Sequence, residues 1–322
     1  MRQVATWVAA QVLAICAGTL NSGAAVAAEV LQIPSRNFSD TEFLQGGADK
    51  APPVMLTGRL AVPESEGPVP LVLLLHGSDG PANGSVWNWG NFLGGLGMAT
   101  LKIDSYTGRG HAEIYTQQAR VAEFAPVYDI YRAIEIIADD QRIDPEKIAV
   151  MGFSRGGIGA LYSSMSRFQD LYGPSHATIS AHFPFYPPCN FELERELEVS
   201  TAPIRAFHGA ADDWNPAPAC RAYVDRLKGA GRDALITEYP GAQHSFDNLK
   251  APAHSTIAEA QTSRNCFRRE ENGVLINTAT NEPFSWQDEC VQMGPSTFYN
   301  DAASTQAQSA VKEFLTELGW LQ

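Results

Sequence analysis

The feature that most constrains this chain is an apolar run, Leu-Val-Leu-Leu-Leu at residues 71–75, that stops abruptly at His76-Gly77. A strand with one wet face alternates apolar and polar side chains. A strand that is apolar at every position has to be covered on both faces, as in a parallel sheet layered between helices. Residues 148–151, followed by Gly152, repeat that run, and 99–103, closed by Asp104, read as another such strand. Between them, residues 121–138 place Val127, Ile130, Tyr131, Ile134 and Ile137 at three-to-four-residue spacing, which predicts a helix with one buried stripe. Residues 158–165 and 219–227 read as further helices, 177–183, 204–207 and 235–239 as further strands, and 302–318 as a terminal helix. Residues 55–62 alternate and read as a half-buried edge strand. Strands that alternate with helices imply a mostly parallel, doubly wound sheet flanked by helices.

Two segments stand outside this rhythm. Residues 251–300 are polar, carry turn signals at Glu271-Asn272-Gly273 and Asn281-Glu282-Pro283, and hold two cysteines. They read as an insertion before the terminal helix. At the other end, residues 2–28 combine Arg2, an apolar stretch from 4 to 20 and a run of small residues at 24–28, the pattern of a secretory signal peptide. Gln11, Thr19, Asn21 and Ser22 dilute it too much for a membrane anchor, and Cys16 lacks the small preceding residue of a lipoprotein site. The expected division is a signal peptide over 1–28 and a single catalytic domain over 29–322, exported to a periplasm or beyond the cell and not stably inserted in a membrane after cleavage.

Export bears on the cysteines. Beyond Cys16 the chain has Cys189, Cys220, Cys266 and Cys290, an even set that in an oxidising compartment predicts two disulfides. Cys266 and Cys290 share the polar insertion, while Cys189 and Cys220 bracket a strand, so the expected pairs are 189 with 220 and 266 with 290. No Cys-x-x-Cys spacing supports a zinc site. Composition excludes other classes. With 36 acidic against 23 basic residues and a net charge of −13, the chain lacks the clustered cations of a nucleic-acid binder. At 44% hydrophobic and 18% charged it is not disordered.

The residues that carry chemistry lie where the apolar runs end. Gly152-Phe153-Ser154-Arg155-Gly156-Gly157 joins a buried strand to a helix, the context in which Gly-x-Ser-x-Gly forms a sharp turn that lifts a nucleophilic serine clear of the sheet. A serine needs a base. His244, in Pro240-Gly241-Ala242-Gln243-His244 beyond the 235–239 strand, emerges on the same sheet edge. His182 falls in an apolar run and reads as a core residue, His76 as part of the loop that shapes an anion pocket, and His208 as a strand end; His111, His176 and His254 have no motif around them. An acid must hold the imidazole in its useful tautomer. Asp212, after the 204–207 strand, is the choice, with Asp213 as the alternative. A tetrahedral oxyanion needs two N–H donors: the backbone of Arg155, next to the nucleophile, and that of Ser78, with Asp79 the alternative. Candidate substrate contacts are Arg109 and Tyr106 in the loop after 99–103, Trp87 in the loop after 71–75 with Trp89 beside it, and the Arg155 side chain. Either arginine has a second reading, as the partner of an acid such as Asp104 or Glu113.

The order Ser154, Asp212, His244 is that of the α/β-hydrolases. Across roughly residues 54–249 and the terminal helix the chain resembles the dienelactone hydrolase family of that fold. The motifs that carry the likeness are His76-Gly77, Asp104-Ser105-Tyr106 with Gly108-Arg109-Gly110, the elbow at 152–157, Phe185-Tyr186-Pro187-Pro188, Gly209 to Asp212, and Tyr239-Pro240-Gly241 with His244 and Phe246. The resemblance implies a hydrolase of esters or lactones that works through an acyl-enzyme, with neither metal nor organic cofactor and with a small ester or lactone as its partner. The family's founding members look like cytoplasmic enzymes with a cysteine nucleophile, whereas this chain has Ser154 and an export signal. A serine peptidase or amidase of the same fold, or a binding protein that keeps the fold without catalysis, are the alternative readings.

Overall fold

A computed structural model describes residues 28–251 and 255–321. The proposed signal segment therefore lies outside the described residues, apart from Ala28. The apolar runs become the centre of an eight-stranded sheet. Its strands are β1 (Glu29–Arg36), β2 (Pro53–Ala61), β3 (Val69–Leu75), β4 (Ala99–Asp104), β5 (Ile143–Phe153), β6 (Ala181–Phe185), β8 (Ile204–Gly209) and β9 (Ala234–Tyr239). The two-residue β7 (Phe191–Glu192) pairs outside it. The order across the sheet is β1-β2-β4-β3-β5-β6-β8-β9. From β4 to β9 every pairing is parallel, while β1 and β2 add an antiparallel margin.

Both faces are covered, as the continuous apolar runs require. Leu71, Leu73 and Leu75 of β3 enter one core with α3 (Ala125–Ile137), α4 (Arg155–Tyr162) and α6 (Ala217–Gly229). The intervening Val72 and Leu74 enter the other, with α2 (Gly84–Gly95) and α7 (Asp301–Glu317). Two short helices, α1 (Asp40–Leu44) and α5 (Ser166–Tyr172), supply aromatic side chains to the first core: Phe43 stacks on Phe124 and meets Phe168 edge-on.

Three elements differ from the sequence reading. The strand expected at the edge, β2, lies one position in, because β1 pairs along its full length and takes the margin. In β1 only Ile33 and Ser35 turn fully inward, too short a pattern to announce a strand. The loop expected around Trp87 is helix α2; its glycines oppose a helix, but Asn83 caps it by accepting from the Val86 N–H, and Trp89 is fully buried beneath it. Helix α3 begins at Ala125 rather than at 121, because Pro126 has no N–H for the Ala122 carbonyl and is tolerated only in a first turn, and the Val121 carbonyl accepts from the Arg155 guanidinium.

The insertion is a strap of short strands. Arg268–Glu271 and Val274–Asn277 form a hairpin whose turn residues Asn272 and Gly273 both have positive φ, at 53° and 77°, as an Asn-Gly hairpin turn demands. Cys266 is bonded to Cys290 within the strap, and Cys189 to Cys220 between the exit of β6 and α6. Among the described residues no helix is long and apolar enough to cross a membrane.

Candidate active site

The sheet brings three loops together at the carboxyl ends of its parallel strands. Ser154, between β5 and α4, has φ 54° and ψ −113°, a conformation that a non-glycine residue adopts only under constraint. The constraint is visible in its neighbours: a Cβ on Gly152 would sit 2.0 Å from the Gly156 carbonyl oxygen, and one on Gly156 would sit 2.4 Å from that of Leu75. Only glycine fits either place.

The Ser154 hydroxyl donates toward His244 Nε2 at 2.9 Å, and His244 Nδ1 donates to Asp212 Oδ2 at 2.8 Å. The second Asp212 oxygen accepts the backbone N–H groups of Trp214 and Asn215, both at 2.8 Å. Burial pushes the Asp212 carboxyl up, but its interactions with His244 and His208 overcome this and hold it well below the ordinary carboxylate range. It stays ionised and keeps the imidazole in the tautomer that accepts from serine. Asp213 points elsewhere: it accepts from the Ser296 N–H at 2.8 Å and faces Arg264 at 3.7 Å.

His244 sits between two rings, Tyr186 edge-on at 4.8 Å and Trp214 tilted at 4.9 Å. Tyr186 is itself pinned, its hydroxyl donating to Asp247 at 2.6 Å; Asp247 also accepts from Trp89 Nε1 and Ser85 Oγ, and burial raises its carboxyl. His208 donates from Nε2 to the Asn215 carbonyl at 2.6 Å and lies 3.5 Å from Asp212. It braces the turn that carries the acid. Neither Tyr186 nor His208 was singled out as part of the site from sequence, although Tyr186 belongs to the Phe-Tyr-Pro-Pro motif and His208 stands four residues before Asp212.

The turn at residues 76–78 lies against the nucleophile, since a Cβ on Gly77 would be 3.2 Å from Ser154 Cβ. His76 fixes that turn: Nε2 accepts from the Ser105 N–H at 3.1 Å and Nδ1 meets the Gly77 carbonyl at 2.8 Å. Burial pushes its imidazole down, so it stays neutral. Ser78 and Arg155 both border a cavity that contains Ser154. Asp79, the alternative to Ser78, borders only the larger cavity beside it and accepts from Asn83.

Four expected substrate contacts are corrected. Arg109 donates through both terminal nitrogens to Asp129, at 2.8 and 2.9 Å, and to the carbonyls of Ser105 and Arg36; its side chain is 1% accessible and holds the sheet margin to α3. Its acid is thus Asp129, neither Asp104 nor Glu113. The Arg155 guanidinium is spent on Glu123 at 3.4 Å and on the carbonyls of Gln118 and Val121. Tyr106 is buried against His76 with its ring 4.5 Å away and borders neither cavity. Trp87 lies on the outer side of α2 over Lys102, lining a separate hollow. The aromatic wall comes instead from Trp214 and Tyr115. Among the described residues no group of His, Cys, Asp and Glu converges to hold a metal ion.

The chain is similar to several known proteins. Residues 56–271 match the model of the dienelactone hydrolase family. A probable carboxylic ester hydrolase of Mycobacterium tuberculosis, LipM, is 25% identical over 171 residues, 40% of each chain. An uncharacterized peptidase of Bacillus subtilis, YuxL, is 24% identical over 230 residues, 62% of this chain and 35% of that one. The chain therefore spans less than half the length of these curated relatives. Among solved structures, a dienelactone hydrolase-like promiscuous phosphotriesterase from metagenomic libraries superposes with a TM-score of 0.55 at 17% identity, covering 91% of this chain and 99% of the other. Esterase 2 of Thermogutta terrifontis, phosphorylated by paraoxon, gives 0.56 at 18% identity, covering 92% and 95%. These likenesses are of fold.

Proposed function

The chain belongs to the dienelactone hydrolase family, and from that premise we propose that it is an exported serine hydrolase that cleaves carboxylic esters or lactones through an acyl-enzyme. Residues 29–322 act as the catalytic domain once residues 1–28 are removed. The observation that carries this reading is the unbroken run of hydrogen bonds from Ser154 to His244 to Asp212, at 2.9 and 2.8 Å.

Ser154 Oγ attacks the carbonyl carbon while His244 Nε2 takes its proton. Negative charge collects on the carbonyl oxygen, which the N–H groups of Arg155 and Ser78 receive. Asp212 stabilises the imidazolium, which then protonates the leaving alcohol. Water, deprotonated by the same imidazole, frees the acid and restores Ser154. No metal or organic cofactor enters any of these steps.

The test is turnover of 4-nitrophenyl acetate together with labelling by a fluorophosphonate probe. The wild type turns over and is labelled; Ser154→Ala falls by about 10⁴-fold or more in kcat and is not labelled. A folded wild type that neither hydrolyses the ester nor takes the probe defeats the reading in favour of a binding protein. Faster cleavage of peptide amides than of the matching esters transfers it to the peptidases.

A further inference from the structure

Two cavities meet at Ser154, and they differ in size and chemistry. The larger is about 250 Å³ and is lined by Tyr115, Trp214, Ile257 and Ala251 along with His244. The smaller is about 20 Å³ and is bordered by Gln118, Glu123, Arg155, Ser263 and Trp286. Ser78 and Ser154 border both, whereas Arg155 borders only the smaller, so the oxyanion position lies at the mouth of the smaller cavity, where it meets the larger. We infer that the enzyme takes esters of the shortest acyl groups, acetyl foremost, on larger apolar alcohols, with the small polar cavity as the acyl site and the large one as the alcohol site. This rests on the hydrolase reading above.

The orientation follows from the proton. In the tetrahedral intermediate the oxygen that departs must accept a proton from His244 Nε2, so it has to lie on the side of His244. His244 lines the large cavity and not the small one. The alcohol therefore leaves through the large cavity, and the acyl substituent points the other way, past Arg155. In balance, Ser154 Oγ bonds to the carbonyl carbon and loses its proton to His244. The carbon–alkoxy bond then breaks and the alkoxide takes that proton. Water subsequently replaces Ser154 at the carbonyl carbon, and the acid departs.

The size limit follows from the walls. A hollow of about 20 Å³, open to solvent along part of its rim, has room for little more than one water-sized group. A methyl fits within it; a propyl has to run out over the rim. The walls are also the wrong chemistry for hydrocarbon: Gln118, Ser263 and the buried Glu123, which is bound to both Arg155 and Arg268, present polar and charged groups where methylenes need apolar contact. Nor is the far wall free to retreat. Gln261 Oε1 accepts from the Gln118 N–H at 2.8 Å, Thr262 Oγ1 donates to the Trp214 carbonyl at 2.7 Å, and the Trp286 ring packs edge-on to Phe284 at 5.6 Å. All three belong to the disulfide-tied strap, which thereby sets acyl length.

The experiment is a two-way substrate series with the full mature chain: 4-nitrophenyl acetate, butyrate and octanoate for the acyl side, and ethyl against phenethyl acetate for the alcohol side. The expected result is a fall in kcat/KM of about ten-fold or more from acetate to butyrate, and a rise from ethyl to phenethyl acetate. Trp286→Ala should narrow the acetate-to-butyrate ratio by about ten-fold, a change that mere destabilisation does not produce because it lowers both rates together. Ile257→Trp should reverse the phenethyl preference and leave the acyl ratio alone. Butyrate or octanoate turned over as fast as acetate overturns the inference while leaving the hydrolase reading intact. No turnover of any ester overturns both. If Trp286→Ala does not fold, Gln261→Ala tests the same wall, and the wild-type series decides by itself.

Discussion

The parallel sheet and the strap at 255–300 meet at one cleft, but different forces place their residues. Ser154 and Asp212 stand just past the ends of β5 and β8, strands packed on both faces, and His244 follows the edge strand β9, whose buried ends Ala234 and Tyr239 reach the two cores, so their positions are tied to the core. The strap has little core of its own. It is located by polar links to the sheet's loops, among them Thr262 to the Trp214 carbonyl, Ser296 to Asp213 and Thr297 to the His244 carbonyl, and by the disulfide from Cys266 to Cys290. Hydrophobic burial thus fixes the reacting groups, while hydrogen bonds and a crosslink shape what reaches them. Changes at strand ends should cost turnover, and changes in the strap should cost selectivity and local order.

The largest effect expected from this contrast is at the two neighbouring aspartates. Asp212→Asn keeps the shape but presents an amide to His244 Nδ1, which favours the wrong tautomer; kcat should fall by about 10³- to 10⁴-fold. Asp213→Asn touches only the link to the strap, through Ser296 and Arg264, and should cost less than about ten-fold. Steady-state kinetics on an acetate ester compares the two directly. A loss at Asp213 as large as that at Asp212 would mean that the strap places the catalytic groups too.

The same contrast explains what the sequence made legible. Residues 71–75 and 148–151 are legible as central strands because a strand buried on both faces is apolar throughout, whereas 99–103 carries Thr100 and a half-buried Lys102 and gives a weaker signal; the elbow at 152–156 is legible because its glycines are sterically required. Helix α2 was hidden because its stability comes from tertiary contacts, Trp89 on Asp247 above all, against the preference of its glycines. Arg109 misled because a cation in a loop after a strand looks available until its acid, Asp129, arrives from a helix twenty residues on. The small cavity was illegible: Gln118, Ser263 and Trp286 come from distant segments without a motif, and only the strap's return over the sheet assembles them.

Removing the two disulfides separately sharpens the comparison. On the chain-entropy view each crosslink, closing separations of 31 and 24 residues, contributes about 3 kcal/mol. Cys189 and Cys220 join the sheet to α6, so replacing both by serine should lower the single global unfolding transition. Replacing Cys266 and Cys290 should instead loosen the strap while the sheet stays folded, because its strands are only two to four residues long and share few apolar contacts. Limited proteolysis under native conditions should then cut within 255–300 in the second variant and not in the first. Identical global destabilisation in both, with no local cutting, would make the strap part of the sheet's cooperative unit.

The smallest expected effect lies where strap and sheet touch most closely to the chemistry. Thr297, buried, donates its hydroxyl to the main-chain carbonyl of His244 at 2.9 Å. Thr297→Val keeps the volume and removes the donor, leaving that carbonyl short of one partner at a cost of about 1 kcal/mol. If the strap only shapes the cleft, that loss appears in unfolding free energy, and kcat for 4-nitrophenyl acetate changes by less than about two-fold. If the strap also steadies the base, part of the loss reaches the transition state, where 1 kcal/mol is worth about five-fold in rate. The readout is kcat measured beside denaturant unfolding of the same preparation. The division of labour between sheet and strap requires the first outcome. Thr297 borders the large cavity, but Val fills the same space, so KM for a compact acetate should hold. A five-fold fall in kcat at unchanged KM would show that the boundary between placing and shaping does not run between sheet and strap but through the loop that carries His244.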